Sequence, residues 1–348
     1  MKISQNYIFA IMLFIAAATL FESCKQKPEE ATENAVTAAP ADTSAIGKKI
    51  TDLDLKIQAD PANAALYNER AKLYMQRQEF EKAALDVKKV MQLDTTKAEY
   101  FITFSDLSLA ANKPGLAKAA LEKCLALEPQ NKEGNMKLAE LFFIARQYDK
   151  VFKYLNDILK VDIHNPKAYF MKGMAYKEMG DTAKSISSFQ TAIEQESKYY
   201  DPFMQLGIIY TLKNNKLALQ YFNGAITINP RSEEALYGRG MWYQEHAHDY
   251  DKAIQDYTSI IQLNPKNKSA HFGLGYIHYQ YLKVNDQAIK HFTDAINADP
   301  SYAEAIYNRG LCYETVGNIG MARADYEAAL RLRPDYTMAS SGLSRVGS

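Results

Sequence analysis

Small and large apolar residues recur along this chain with a period close to 34 residues. One column of small residues runs from Ala71 to Gly310, and a second runs from Ala83 to Ala322. A column of large apolar residues, from Val87 to Tyr326, keeps the same phase. Within a unit these positions are three or four residues apart, which places them on one face of a helix. The pattern therefore predicts repeated pairs of helices. The first small column reads Ala71, Ser105, Ala139, Gly173, Gly207, Gly240, Gly275 and Gly310.

Turn-forming residues divide the units. Gly180-Asp181, Asn214-Asn215 and Gly317-Asn318 mark the turn between the two helices. Proline ends the second helix of several units, because it cannot continue the hydrogen-bond ladder. The sixth and seventh units carry one extra residue, expected in the interhelix turns at 246–249 and 281–285, where an insertion costs least. The prolines are Pro129, Pro230, Pro265, Pro300 and Pro334.

These columns resemble the tetratricopeptide repeat (TPR) family, whose best match here is Tyr307-Asn308-Arg309-Gly310. The resemblance implies an all-α fold, a right-handed α-solenoid of helix-turn-helix repeats. Eight repeats are expected over 64–336, after an N-terminal capping helix at 45–63 and before a C-terminal capping helix and tail at 337–348. The expected units are 64–97, 98–131, 132–165, 166–199, 200–232, 233–267, 268–302 and 303–336.

The N-terminus predicts export. Residues 1–23 start with Met1-Lys2 and contain an apolar run up to Phe21, shorter than the about 20 residues that span a bilayer. This is typical of a signal peptide. The Ser23-Cys24 pair resembles a bacterial lipoprotein signal, which implies that Cys24 is lipidated. The alternative is an ordinary secretory signal with an incidental cysteine.

The residues after Cys24 predict a disordered tether and a cellular location. Residues 24–44 are rich in Ala, Thr, Pro and Glu, a composition that cannot bury enough apolar surface to fold. Lys25 stands where lipoproteins of the inner membrane often have aspartate. We therefore expect a lipid anchor in the outer membrane, with the folded body on the periplasmic side rather than at the cell surface.

Composition excludes several classes of protein. The chain has 41 Lys plus Arg and 41 Asp plus Glu, so bulk charge predicts no nucleic-acid binding. Three cysteines are too few for a disulfide scaffold, and Cys124 and Cys312 lie six units apart. Many of the 24 tyrosines occupy packing columns and need no chemical role.

The first helices carry the predicted binding site. By the resemblance, positions two, five, nine and twelve of each unit line a concave groove. Methionine and aromatic residues form a stripe there, rimmed by glutamates at position two, and exposed apolar stripes usually mark contact with a partner. The alternative is that neighbouring helices bury part of the stripe as core. The predicted groove residues are Phe143, Phe170, Met174, Met204, Ile208, Tyr237, Met241, Phe272, Tyr276, Tyr279, Tyr307 and Leu311.

No catalytic, metal or cofactor site is predicted. His246 and His248 could bind a metal with Glu245 or Asp249, but no further ligand spacing supports such a site. His271 and His278 occupy apolar packing columns, which favours histidines that are satisfied within the core. No phosphate loop or nucleophile motif occurs.

The function that follows is a non-enzymatic scaffold. Its partner would be another envelope protein or peptide segment, held in the groove for envelope assembly, secretion or recruitment of a cell-wall enzyme. The alternative is a self-associating structural component of an envelope complex, with no peptide client.

Overall fold

The computed structural model describes residues 44–347, and the predicted signal peptide, Cys24 and nearly all of the predicted tether lie outside them. The described residues form eight helical hairpins and two single helices, with no strand among them. None of these helices is both long and apolar enough to cross a bilayer. The prediction of an all-α fold is therefore confirmed.

The helices are as follows. The single helix α1 is Ala45–Ala59, and the single helix α18 is Thr337–Arg345. The first four hairpins are α2 (Ala64–Gln76) with α3 (Phe80–Leu93), α4 (Ala98–Ala110) with α5 (Pro114–Leu127), α6 (Lys132–Ile144) with α7 (Tyr148–Val161), and α8 (Pro166–Glu178) with α9 (Thr182–Gln195). The last four are α10 (Tyr200–Leu212) with α11 (Leu217–Ile228), α12 (Glu233–Trp242) with α13 (Tyr250–Leu263), α14 (Lys268–Ile277) with α15 (Asn285–Ala298), and α16 (Ala303–Thr315) with α17 (Ile319–Leu332).

The hairpins stack in chain order. Each first helix packs on its own second helix, and each second helix also contacts the first helix of the next hairpin. The contacts divide the chain after Thr51, so the hairpins all belong to the second of two compact units. Within that unit the repeated packing makes an α-solenoid.

Local sequence explains where the helices begin and end. Asn131, Asn165 and Asn267 cap the first helices of three hairpins, each accepting a backbone N–H three residues on at 2.9 Å. Five second helices end two residues before a proline, because the residue that precedes proline is pushed out of the helical region.

Every interhelix turn contains one residue with positive φ, between 49° and 79°. Only two of these residues are glycines, Gly180 and Gly317. The prediction of a longer interhelix turn in the sixth and seventh units is wrong. The extra residue of each unit does not lengthen the turn. It widens the end of the first helix into a π-helical segment, Tyr243–Ala247 and His278–Leu282. A π-turn keeps the backbone groups paired, which a looser insertion would not do.

Rings from the second helices lie directly against glycine in the first helices. Phe222 is 2% exposed, and a Cβ built on Gly207 would lie 2.7 Å from its Cε1. A Cβ on Gly238 of the next hairpin would lie 2.6 Å from the same atom. The ring is therefore held between two glycine surfaces, and Tyr257 and Tyr326 are held in the same way.

A buried ion pair repeats in three hairpins. Arg239 donates from Nε and Nη2 to Asp256 on its own second helix, at 2.9 and 2.6 Å, and from Nη1 to Asn223 on the preceding second helix at 2.6 Å. Asp256 is 2% exposed, so the two-pronged contact compensates a charge that water cannot reach. The pairs Arg70–Asp86 and Arg309–Asp325 have the same form.

The ring contact predicts a stability difference between two glycines. Gly207→Ala should lower the free energy of unfolding by about 1–3 kcal/mol, because Phe222 has no free side toward which to move. Gly320→Ala is the control, since a Cβ there meets nothing within 4 Å, and it should change stability by less than about 0.5 kcal/mol. Urea denaturation followed by circular dichroism measures both. Equal stability of the two variants would contradict the contact.

Candidate partner-binding face

The first-helix face comprises positions two, five, nine and twelve of the eight first helices. None of the twelve predicted groove side chains is fully exposed. Met204 and Tyr307 are 3% and 7% exposed, and both belong to core clusters. The other ten are half-buried. The face therefore combines packing and accessible surface, and its binding of a partner stays a prediction.

The fifth position is mainly a packing position. The Phe272 ring lies 5.6 Å from Phe292 of its own second helix and 5.2 Å from Tyr302, which precedes the next hairpin. Phe170 and Tyr307 make the same pair of ring contacts. These aromatics therefore join one hairpin to the next, and only their outer edges remain for a partner. The alternative prediction, that neighbouring helices bury part of the stripe as core, describes this position well.

The ninth and twelfth positions carry the more available side chains. Met174, Ile208 and Leu311 are partly buried and pack against core clusters. Met241 is half-buried and belongs to none of the core clusters of the described residues. An accessible methionine outside the core suits a surface that adapts to a ligand.

Asp201 and Glu234, on the same helices as Ile208 and Met241, are partly enclosed by protein. Burial raises the pKa of Asp201, and burial together with the charge of Asp201 raises the pKa of Glu234. Water nevertheless reaches both side chains, which are exposed at their surface. Neither carboxylate has an ion pair within residues 44–347.

Several of the other acidic positions on this face are paired within the chain. Asp106 accepts from Lys137 at 2.7 Å, and Glu314 accepts from Arg345 at 2.7 Å. Glu304 is paired with Arg333. The predicted rim of glutamates is therefore not uniform, because cations from within the chain neutralise part of it. In the described part of the chain, Asp201 and Glu234 have no such cation, and neither does Glu140, whose pKa is also raised by burial.

The cysteines and the histidines of the sixth hairpin lie outside the positions of this face. Burial raises the pKa of Cys124 to about 11 and of Cys312 to about 12, so neither thiol ionises near neutral pH. His246 and His248 join no third metal ligand in the described part of the chain. His246 instead lies with its ring 5.7 Å from Trp242. One group of possible metal ligands does form, on the seventh hairpin, away from these two histidines.

The sequence pattern of the tetratricopeptide repeat matches residues 166–199, 234–267 and 303–336. These ranges coincide with the fourth, sixth and eighth hairpins. The chain belongs to the tetratricopeptide repeat family. A solved TPR structure, the C-terminal part of a TPR repeat-containing protein from Cytophaga hutchinsonii, has the same fold at 18% identity, with a TM-score of 0.52 over 66% of this chain and 94% of its own.

Curated relatives of this TPR chain come from varied settings. It is 25% identical over 182 residues to anaphase-promoting complex subunit 3 of Schizosaccharomyces pombe, which covers 52% of this chain and 27% of the relative. It is 30% identical over 106 residues to photosystem I assembly protein Ycf3 of Acaryochloris marina, covering 27% and 62%. The chain thus spans only part of each of these relatives.

The sequence predicted a partner-binding face on the first helices, and that prediction did not extend to its electrostatics. Asp201 and Glu234 stand at position two like the other acidic residues, and only the structure shows which carboxylates lack a cation. His291 and Asp294 were not predicted from the sequence as possible metal ligands. Their spacing of three residues on one helix could have indicated them. The matching ligand, His271, is 20 residues earlier on the partner helix, where the packing column masked it.

The raised pKa values predict how the TPR face titrates. Carboxyl carbons of Asp201 and Glu234 should titrate at higher pH than is ordinary for aspartate and glutamate, respectively. Because an acid with a raised pKa in the folded state destabilises the fold once ionised, Asp201→Asn should not lower stability at neutral pH. Carbon NMR titration and urea denaturation test these outcomes. Ordinary pKa values at both positions would contradict a partly enclosed, cation-poor site.

Proposed function

We propose that this TPR chain is a non-enzymatic scaffold that holds a segment of another protein along its first-helix face. One observation carries the proposal: Asp201 and Glu234 are crowded by protein and lack a cation, next to the accessible apolar side chains of Ile208 and Met241. The buried carboxylates Asp86, Asp256 and Asp325 are by contrast paired with arginines of this chain. Two carboxylates without a cation, beside apolar surface, fit a partner segment that supplies both a cation and an apolar side chain.

The partner's chemistry follows from these groups. A lysine or arginine of the segment would lie between Asp201 and Glu234, and an apolar side chain would contact Met241. The cation would lower the pKa of both carboxyls, so affinity should fall as the pH falls toward their raised values in the free protein. The names of two relatives, a subunit of a complex and an assembly protein, are in keeping with a scaffold.

The cellular address rests on the sequence of the N-terminus. Ser23-Cys24 after the apolar run supports a lipid anchor on Cys24, and Lys25 is compatible with the outer membrane. The proposed partner is accordingly another protein of the bacterial envelope, reached from the periplasmic side.

Partner binding is tested by photocrosslinking in cells. A benzophenone side chain at Met241 should capture a partner, whereas the same group at Glu194 on a second helix should not. Asp201→Asn with Glu234→Gln should reduce the adduct by at least about fivefold, because a single charge contact contributes about 1 kcal/mol.

The matched control is Glu194→Gln with Glu327→Gln, which neutralises two exposed carboxylates on second helices. It should leave the adduct unchanged. Equal loss in both double variants would show that net charge, and not the face, controls binding. An adduct that contains only a second copy of the chain would support the self-associating alternative.

The lipid anchor is tested separately. Cys24→Ser should abolish incorporation of labelled palmitate and release the protein from the membrane fraction, because no other lipid-bearing cysteine is proposed. Circular dichroism of the released protein should match that of the wild type. Membrane association that survives this change, without label in the wild type, would refute the anchor.

A further inference from the structure

Three possible metal ligands meet between the two helices of the seventh hairpin. His271 lies on α14, and His291 and Asp294 lie one turn apart on α15. One ligand atom from each residue lies within 4.8 Å of the other two. His271 Nδ1 and Asp294 Oδ2 are 3.9 Å apart. This cluster is separate from the carboxylates of the first-helix face.

The hydrogen bond of His271 fixes which nitrogen is available. Its Nε2 lies 3.1 Å from the carbonyl oxygen of Pro265, which can only accept, so Nε2 carries the hydrogen. In the neutral ring the lone pair is then on Nδ1. That atom is buried without a hydrogen-bond partner, and the residue is 6% exposed. The sequence interpretation of a satisfied core histidine is therefore right for Nε2 and wrong for Nδ1.

This arrangement is the one that metal-binding histidines use. A ligating imidazole usually donates its second N–H to a carbonyl or carboxylate, which fixes the ring and directs the lone pair at the metal. Leaving a buried acceptor unpaired costs free energy, so such atoms in a native structure need an explanation. A cation at Nδ1 supplies one.

His291 adds a second buried imidazole nitrogen that lacks a partner. Its Nδ1 is also buried without a hydrogen-bond partner. Its ring lies 5.8 Å from that of His271 and 5.5 Å from that of His278.

We propose that His271, His291 and Asp294 bind a divalent transition-metal ion of the zinc class and so join α14 to α15. Two imidazoles and one carboxylate suit this class of ion, in contrast to the all-oxygen sites of magnesium and calcium. Ligand atoms around tetrahedral zinc are about 3.4 Å apart. The Asp294 side chain, 39% exposed, can rotate to close the remaining distance and leaves room for water.

Zinc binding is tested on the purified chain, stripped with a chelator and free of any polyhistidine tag. Calorimetry should show one bound Zn²⁺ per chain and a higher thermal midpoint. Cobalt, used as a spectroscopic probe, should give the strong visible absorption of a tetrahedral site. Absence of stoichiometric binding of either ion would overturn the proposal.

Variants assign the ligands. His271→Gln, His291→Gln and Asp294→Asn should each weaken zinc binding by at least about tenfold. Asp294→Asn is the decisive variant, because its half-exposed side chain can change without disturbing the core. His246→Gln with His248→Gln is the control and should bind zinc like the wild type. Unchanged affinity in Asp294→Asn, or loss in the control, would place the ion elsewhere and refute the site.

Discussion

Contact between a ring of each second helix and a glycine of a first helix sets the spacing of the later hairpins. Where the ring lies between two glycines, as Phe222 does between Gly207 and Gly238, it fixes the distance to its own first helix and to the next one. Both distances repeat, so small errors would accumulate along the stack. The same contact fixes the rotation of the first helices, and hence the side chains at positions two, nine and twelve that leave the core.

Buried carboxylates are also compensated by contacts between the two helices of a hairpin. Asp86, Asp256 and Asp325 are each at most 5% exposed, and each receives a two-pronged arginine from the first helix. The chain thus provides a cation where a carboxylate is needed for packing. Asp201, Glu234 and Glu140 are exceptions, since burial raises the pKa of each and none has an ion pair within residues 44–347. Such an exception has a ready explanation if the cation belongs to another molecule.

The fold was predictable because its cause is periodic. Each packing contact falls within a unit or between neighbours, so the columns that begin at Ala71 and Val87 carry all of it. The face was only partly predictable. Which apolar residue is core and which is surface depends on neighbouring rings, as Tyr302 shows for Phe272. Whether an acidic residue is paired depends on side chains about 30 residues away, such as Arg333 for Glu304.

The π-helical segments and the histidine cluster show what a repeat pattern hides. An insertion looks like a longer turn in sequence, yet in the seventh hairpin it widens the end of α14 at His278–Leu282. His278 stays bonded through Nδ1 to the Leu274 carbonyl at 2.8 Å, with its ring against His291. A metal at His271 and His291 would act on the side of α14 that faces α15, whereas Tyr276 lies on the first-helix face. Metal binding would therefore stabilise the hairpin that positions part of that face without occupying the face itself.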